Sequence, residues 1–169
     1  MQKQRKGEAN MAKKIIIALI VIVLLVAIGF GIYYFVNNNK EENVNIDLQA
    51  VNNTISTQPP FNELAAMDVT LDDLTTLLNI NADEVEEVVG KMAMMNVQAS
   101  RYFIIKAKDG AVDSVREKVE NYGNSYEQQW ETYLPAQYEL VKQRRVGVKG
   151  NYVYLIIAEN AAELEALIK

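Results

Sequence analysis

The chain has 169 residues, 50% of them apolar and 23% charged, with a formal net charge of −5 and neither cysteine nor histidine. The missing side chains exclude disulfide frameworks, zinc or haem sites built on Cys or His, and nucleophile arrangements that need a Cys–His or Ser–His pair. The length suits one domain of ordinary size, and 8 Gly with 3 Pro is too few for a low-complexity chain.

Residues 15–36 contain no charge. At 1.5 Å per residue a helix of that run extends about 33 Å, enough to cross a hydrocarbon layer of about 30 Å. A secretory signal peptide has a shorter apolar centre and a small-residue cleavage site. Here the run continues past Gly29 and Gly31 through Ile32, Tyr33, Tyr34, Phe35 and Val36, so we expect an uncut membrane helix. Tyr33 and Tyr34 suit an interfacial aromatic belt. Lys3, Arg5, Lys6, Lys13 and Lys14 precede the run, and the positive-inside rule then leaves residues 1–14 as a cytoplasmic basic tail and places everything after Val36 outside the cell, at the plasma membrane. Taking those five bases and Glu8 from the totals of 17 and 22 leaves 12 bases and 21 acids beyond the span. That balance repels phosphate backbones, so no nucleic-acid partner is expected.

Residues 37–60 are rich in Asn, Thr, Ser and Gln without a sustained period, and they read as a flexible linker ending in Pro59 and Pro60. The Asn52-Asn53-Thr54 sequon falls within it and is taken as linker composition. From Phe61 to Lys169 the pattern is that of a folded domain. Thr70 with Asp73 three residues later marks a helix start, followed by Leu71, Leu74, Leu77 and Leu78 on one face. Residues 84–95 are read as a strand, although Val85, Val88 and Val89 also suit a short helix. In 102–108, Phe103, Ile105 and Ala107 alternate with Tyr102, Ile104 and Lys106, which predicts a strand ending at the Asp109-Gly110 turn. Val112, Val115, Val119, Tyr122, Tyr126, Trp130 and Tyr133 recur every three or four residues and predict a long helix that tolerates Gly123 and stops at Pro135. Strands over 144–148 and 152–158 flank Lys149-Gly150-Asn151 as a hairpin, and Asn160 is placed to cap a last helix. The expected fold is α+β: a single N-terminal transmembrane helix, then a two-layer domain with a small antiparallel sheet covered by helices on one face.

The candidate chemistry is sparse. Asp72, Asp73, Asp83, Glu84, Glu86 and Glu87 supply carboxylates of the kind a glycosidase pairs, but neighbours in sequence do not fix the separation such a pair needs, and helix-start charge explains them. Asn79, Asn81 and Asp83 imitate the opening of a calcium loop, yet Glu84 stands where Gly is required and Gly90 where a closing Glu belongs. Met92, Met94 and Met95 fit core or strand-end packing, with an adaptable apolar groove as the alternative; copper capture by Met alone is a weak proposal. No catalytic, metal or cofactor residue is assigned.

Two features suit partner binding. Tyr102, Tyr152 and Tyr154 share strand parity, opposite Phe103, Ile105, Val153, Leu155 and Ile157; left uncovered they offer an aromatic face for a peptide or sugar, and covered they form a second packed face. Arg144 and Arg145, with Lys142 and Lys149, concentrate positive charge around one strand, either for anionic envelope material or to guard a sheet edge against aggregation.

The stretch Met92-Ala-Met-Met-Asn-Val-Gln-Ala99, then Trp130, Tyr133-Leu-Pro135 and Tyr138, then Gly150-Asn-Tyr152, resembles the uncharacterised domain family catalogued as four-three-five-eight, over about residues 67–167. The resemblance implies an extracytoplasmic domain of a Gram-positive bacterium and brings no activity, cofactor or catalytic residue. It also implies a lipid-modified cysteine anchor and an acidic residue where Arg101 stands, and this chain departs from both. The reading we carry forward is a single-pass, membrane-anchored binding or interaction module with a cell-envelope protein, peptide or glycan as partner. The alternatives are an envelope enzyme that uses Asp or Glu, and an accessory subunit of a membrane complex.

Overall fold

Phe103, Ile105 and Ala107 turn one way and Tyr102 and Ile104 the other, and this alternation divides the interior into two cores. The computed structural model describes residues 44–169. The run at 15–36, the basic tail and residues 37–43 lie outside the described residues, and among the described residues no helix is long and apolar enough to cross a membrane.

Five strands form one antiparallel sheet: β1 (Ala66–Asp68), β2 (Val85–Ala93), β3 (Arg101–Ala107), β4 (Arg145–Lys149) and β5 (Tyr152–Ile157), in the spatial order β1-β2-β3-β5-β4. The expected strands at 84–95 and 102–108 and the expected hairpin are present; β1 is an addition, too short to carry a period. In the centre Ile104 pairs with Tyr154, Ile105 with Val153 and Phe103 with Leu155. Side chains alternate across a strand, so this register stacks Phe103, Ile105, Val153, Leu155 and Ile157 on one face and Tyr102, Ile104, Tyr152, Tyr154 and Ile156 on the other.

The first face is covered by α2 (Leu71–Leu78), α3 (Val112–Trp130) and α4 (Pro135–Lys142). α2 starts as the sequence predicts: the Asp73 amide donates to the Thr70 hydroxyl and the Asp73 carboxylate accepts from the Thr70 amide, a complete capping box. α3 buries Val115, Val119, Tyr126 and Trp130. α3 ends before Pro135 as expected, and Pro135 then opens α4 at its first position, where a missing N–H costs nothing and the fixed φ is already helical.

The second face is where the expectation of helices on one side fails. α1 (Leu48–Ser56) lies within the stretch read as flexible linker and buries Leu48, Val51 and Ile55 against the tyrosine side, together with Ile46 and Phe61. α5 (Ala161–Glu165) adds Ala161 and Leu164 to the same core. The domain therefore has three layers, helices on both faces of the sheet, and it begins well before Phe61. Asn, Thr and Ser are poor helix formers, which hides α1, but its apolar residues recur at three and four and Asp47 caps it by accepting from the Ala50 amide at 3.0 Å. A nine-residue helix of this composition is held by burial of one face. Asn160 does precede α5 but makes no side-chain cap bond.

Candidate functional site

The tyrosine face closes as a binding surface once α1 is in place. Tyr102, Tyr152 and Tyr154 are 0%, 2% and 4% exposed. Their hydroxyls, which would be costly to bury unpaired, are spent inside the domain. Tyr102 donates to Asn52 Oδ1 at 2.6 Å, and Tyr152 accepts from the Ile46 amide at 3.1 Å and donates to the Ile46 carbonyl at 3.3 Å. Tyr154 passes over Gly147, where a Cβ would lie 2.2 Å from its hydroxyl oxygen, and donates to Glu165 Oε1 at 2.8 Å. Burial and the Glu165 carboxylate push the Tyr154 hydroxyl up to about 12. These three residues are structural, and the packed-face alternative is the correct one.

The arginines are likewise occupied. Arg144, one residue before β4, reaches Glu127 at 2.5 Å and Asn124 Oδ1 at 2.8 Å, tying α3 to the sheet edge. Gly123 makes the room: a Cβ there would stand 2.7 Å from Arg144 Nε. Arg145 faces Glu165 at 3.7 Å, and Lys149 donates to the Ile168 carbonyl at 2.5 Å beyond the end of α5. Arg145 and Lys149 lie on the edge strand β4, where charge discourages pairing with another sheet.

The acidic run is also spent locally. Asp73 caps α2, and Glu84 accepts from the Asn81 amide, the Ser114 hydroxyl and the Lys118 ammonium, the last at 2.6 Å. Partial burial pushes the Glu84 carboxyl up, but those three donors outweigh it and hold it at about 2, below its ordinary 4.5. A carboxyl lowered on folding stabilises the fold above about pH 4.5, and that contribution is lost as pH falls toward 2. Urea midpoints measured across this window should fall with pH in the native chain and fall less in Glu84→Gln; parallel curves would show that Glu84 contributes nothing.

What remains is a cleft that the candidate residues do not line. β3 opens with Arg101, which has the parity of Phe103 and Ile105 and so turns toward α3. There it meets a ladder of rings spaced four apart: Tyr122 and Tyr126 stack at 5.7 Å, and Trp130 meets Tyr126 edge-on at 5.9 Å. The Arg101 guanidinium lies 3.9 Å from the Tyr126 ring centre and donates to the hydroxyls of both Tyr122 and Tyr126, the latter at 2.5 Å. Burial pushes both tyrosine hydroxyls up in spite of the guanidinium, so neither supplies a negative charge at neutral pH.

Three clefts share Arg101 as a lining residue: a small apolar one of about 10 Å³ that also has Asp73 in its lining, and two larger ones. Of the larger two, the first, about 730 Å³, runs between α2 and α3 past Leu77, Asn79, Met92, Asn121, Ser125 and Gln129, with Lys118 at its margin. The second, about 320 Å³, lies under the β2–β3 loop, between Met94, Met95, Gln98, Gln129, Trp130 and Tyr133. The loop is held at its base by the Ala93 amide on the Ser100 carbonyl at 3.0 Å and against α4 by the Ala99 amide on Gln137 at 2.7 Å. Met94, Met95 and Tyr133 are 66%, 50% and 52% exposed, so these methionines line a groove mouth instead of filling a core.

The electrostatics single out this place. Among the described residues no carboxylate lies within ion-pair distance of Arg101; neither an Asp nor a Glu lines the two larger clefts, and Asp73, which lines the small one, is engaged by the Thr70 amide and hydroxyl. Arg101 Nε is buried without a hydrogen-bond partner. A guanidinium has five N–H donors; Arg101 is partly buried, stacked on Tyr126 and bonded to two tyrosine hydroxyls, but no opposite charge meets it. Lys118 is already neutralised by Glu84. The chemistry this favours is capture of a single anionic group between amide and apolar walls.

Residues 61–158 match the model of a family described as Domain of unknown function (DUF4358). The chain belongs to that family. No curated protein and no solved structure matches it. The matched span of the DUF4358 domain contains all five strands and the whole Arg101 cleft, while α1 and α5, which cover the tyrosine face, fall outside it. Arg101 was legible as an inward-parity arginine at the head of an apolar strand, opposite an i, i+4, i+8 aromatic series on the next helix; neither signal stands out until the two are paired.

Proposed function

We propose that this DUF4358 protein is a single-pass membrane protein, N-terminus in the cytoplasm, that holds the described domain outside the cell as a binding module whose site is the Arg101 cleft and whose ligand is an anion. The observation that carries the reading is the partly buried guanidinium without a carboxylate partner, at the junction of two clefts free of acids. The acidic run offers no carboxylate to the two larger clefts, and Asp73 in the small one is spent on capping α2, which favours binding over the acid-catalysed alternative. Tethering raises the effective concentration of the domain near surface partners. Attraction of an anion into an otherwise acidic domain is short-ranged, because the screening length is about 8 Å at physiological salt.

Two measurements test this reading. The chain has no cysteine, so Glu120→Cys on the exposed side of α3 and Gln4→Cys in the basic tail can each be probed with a membrane-impermeant maleimide. Intact cells should label the first, and the second should label only after lysis; the reverse pattern, or a shortened product in the medium, overturns the topology. Trp130 is the chain's only tryptophan and lines the second cleft. Iodide should quench its fluorescence more in the native chain than in Arg101→Gln, with neutral acrylamide quenching the two alike. Equal iodide quenching in the two chains overturns the anion site.

A further inference from the structure

We infer that the anion taken by this cleft is the side-chain carboxylate of an extended peptide, an Asp or Glu flanked two positions away by an apolar residue. This rests on the Arg101 cleft being the binding site proposed above.

Three observations lead there. First, the Arg101 guanidinium lies over the Tyr126 ring, 3.9 Å from its centre, with two of its five N–H donors given to tyrosine hydroxyls. With Nε buried, the second N–H of each terminal nitrogen is left to meet the two oxygens of a carboxylate end-on. Second, the walls carry primary amides: Asn121 in the first cleft, Gln98 in the second, and Gln129 in both. Each supplies a donor and an acceptor together, the complement of a peptide group. Third, the second cleft offers Met94 and Met95 beside Trp130 and Tyr133, and unbranched thioethers conform to apolar side chains of differing outline.

Spacing joins these parts. In an extended peptide, residues i and i+2 point the same way about 6.6 Å apart. A carboxylate seated on Arg101 therefore projects its second neighbour into an adjoining cleft while the intervening backbone passes the Gln129 amide, which borders both. A glycan fits less well. Sugar faces stack on broad open rings, whereas Trp130 is only 5% exposed and Tyr133 is the one well-exposed ring of the ladder.

The test uses the full-length chain in lipid nanodiscs and Trp130 fluorescence. The probe is the capped pentapeptide Leu-Ala-Glu-Ala-Leu, whose symmetry allows either chain direction; the control carries Gln at the centre. The Glu peptide should give a saturable change at least tenfold tighter than the Gln peptide. Arg101→Gln should weaken it at least tenfold and Arg101→Lys by less. Met95→Glu, at an exposed position that folding does not need, should repel the peptide by a similar factor, so the assignment remains testable if Arg101→Gln fails to fold. Equal binding of the two peptides, binding that survives both Arg101→Gln and Met95→Glu, or no peptide response would overturn the inference. So would a saturable response to inorganic phosphate or to a chitin trisaccharide in place of the Glu peptide. In each of these cases iodide quenching that still depends on Arg101 leaves the anion-binding module standing, and its loss removes both.

Discussion

A chain that starts at Phe61 is expected to lose cooperative folding, whereas one that starts at Val44 should melt in a single transition. The shorter chain lacks Ile46, Leu48, Val51 and Ile55, all of which are buried on the tyrosine face. Each such side chain contributes about 1.5–3 kcal/mol when buried, against a total of about 5–15 kcal/mol for a typical domain. The loss also uncovers Tyr102, Ile104, Tyr152, Tyr154 and Ile156, and removes the Ile46 backbone and Asn52 side chain that satisfy two buried hydroxyls. The result should be an aggregating species with exposed apolar surface, visible as dye binding and as a broad urea transition. The single substitution Ile55→Ala, which leaves the rest of α1 in place, should cost about 3 kcal/mol. A Phe61-start chain as stable as the Val44-start chain would show that α1 is a passive cover.

Gly90→Ala is expected to be the most damaging one-atom change in the sheet. Gly90 pairs with Phe103 in the β2–β3 ladder. A Cβ built there would lie 2.3 Å from the Tyr102 carbonyl oxygen and 2.7 Å from Phe103 Cα, both backbone atoms that cannot swing aside. Relief requires β2 to move away from β3, which disturbs the pairing that supports the Arg101 end of the strand. Overpacking of this kind costs about 3 kcal/mol, a drop in melting temperature of roughly 10 °C for a domain of this size. Gly110→Ala makes the contrast: no atom stands within 4 Å of its Cβ site, and its only strain is a φ of +79°. If Gly90→Ala melts within 2 °C of Gly110→Ala on the ~1 kcal/mol scale of such backbone effects, the close approach at Gly90 is not a real constraint.

Several elements were legible because the signal that makes them is local. Thr70 and Asp73 close a capping box within one turn, and the structure has it. The parity of 102–107 and 152–157 fixed which side chains share a face before any pairing was known, and the register bears this out. The hairpin at Gly150 followed from turn chemistry, with φ of +54° at that residue. What misled was composition. Asn52, Asn53, Thr54 and Ser56 describe a tether when read residue by residue, because that reading does not include the surface that the segment packs against.

The site shows the same division more sharply. Sequence alone determined that the chain carries an uncharged run long enough for a membrane helix, an acidic remainder, no Cys or His chemistry, and a strand-and-helix order that yields an α+β domain. Only the tertiary structure decided that the tyrosines are interior and Arg144 is spent on Glu127, while Arg101, marked in the sequence only by its departure from the family pattern, stands among rings with no ion-pair partner among the described residues. The reason is that periodicity specifies the direction in which a side chain points along its own element, a property of a few consecutive bonds. Whether that direction ends in water, in a core or against a counterion depends on which distant segment covers it, and here Ile46, just before α1, reaches Tyr152 across 106 residues of chain.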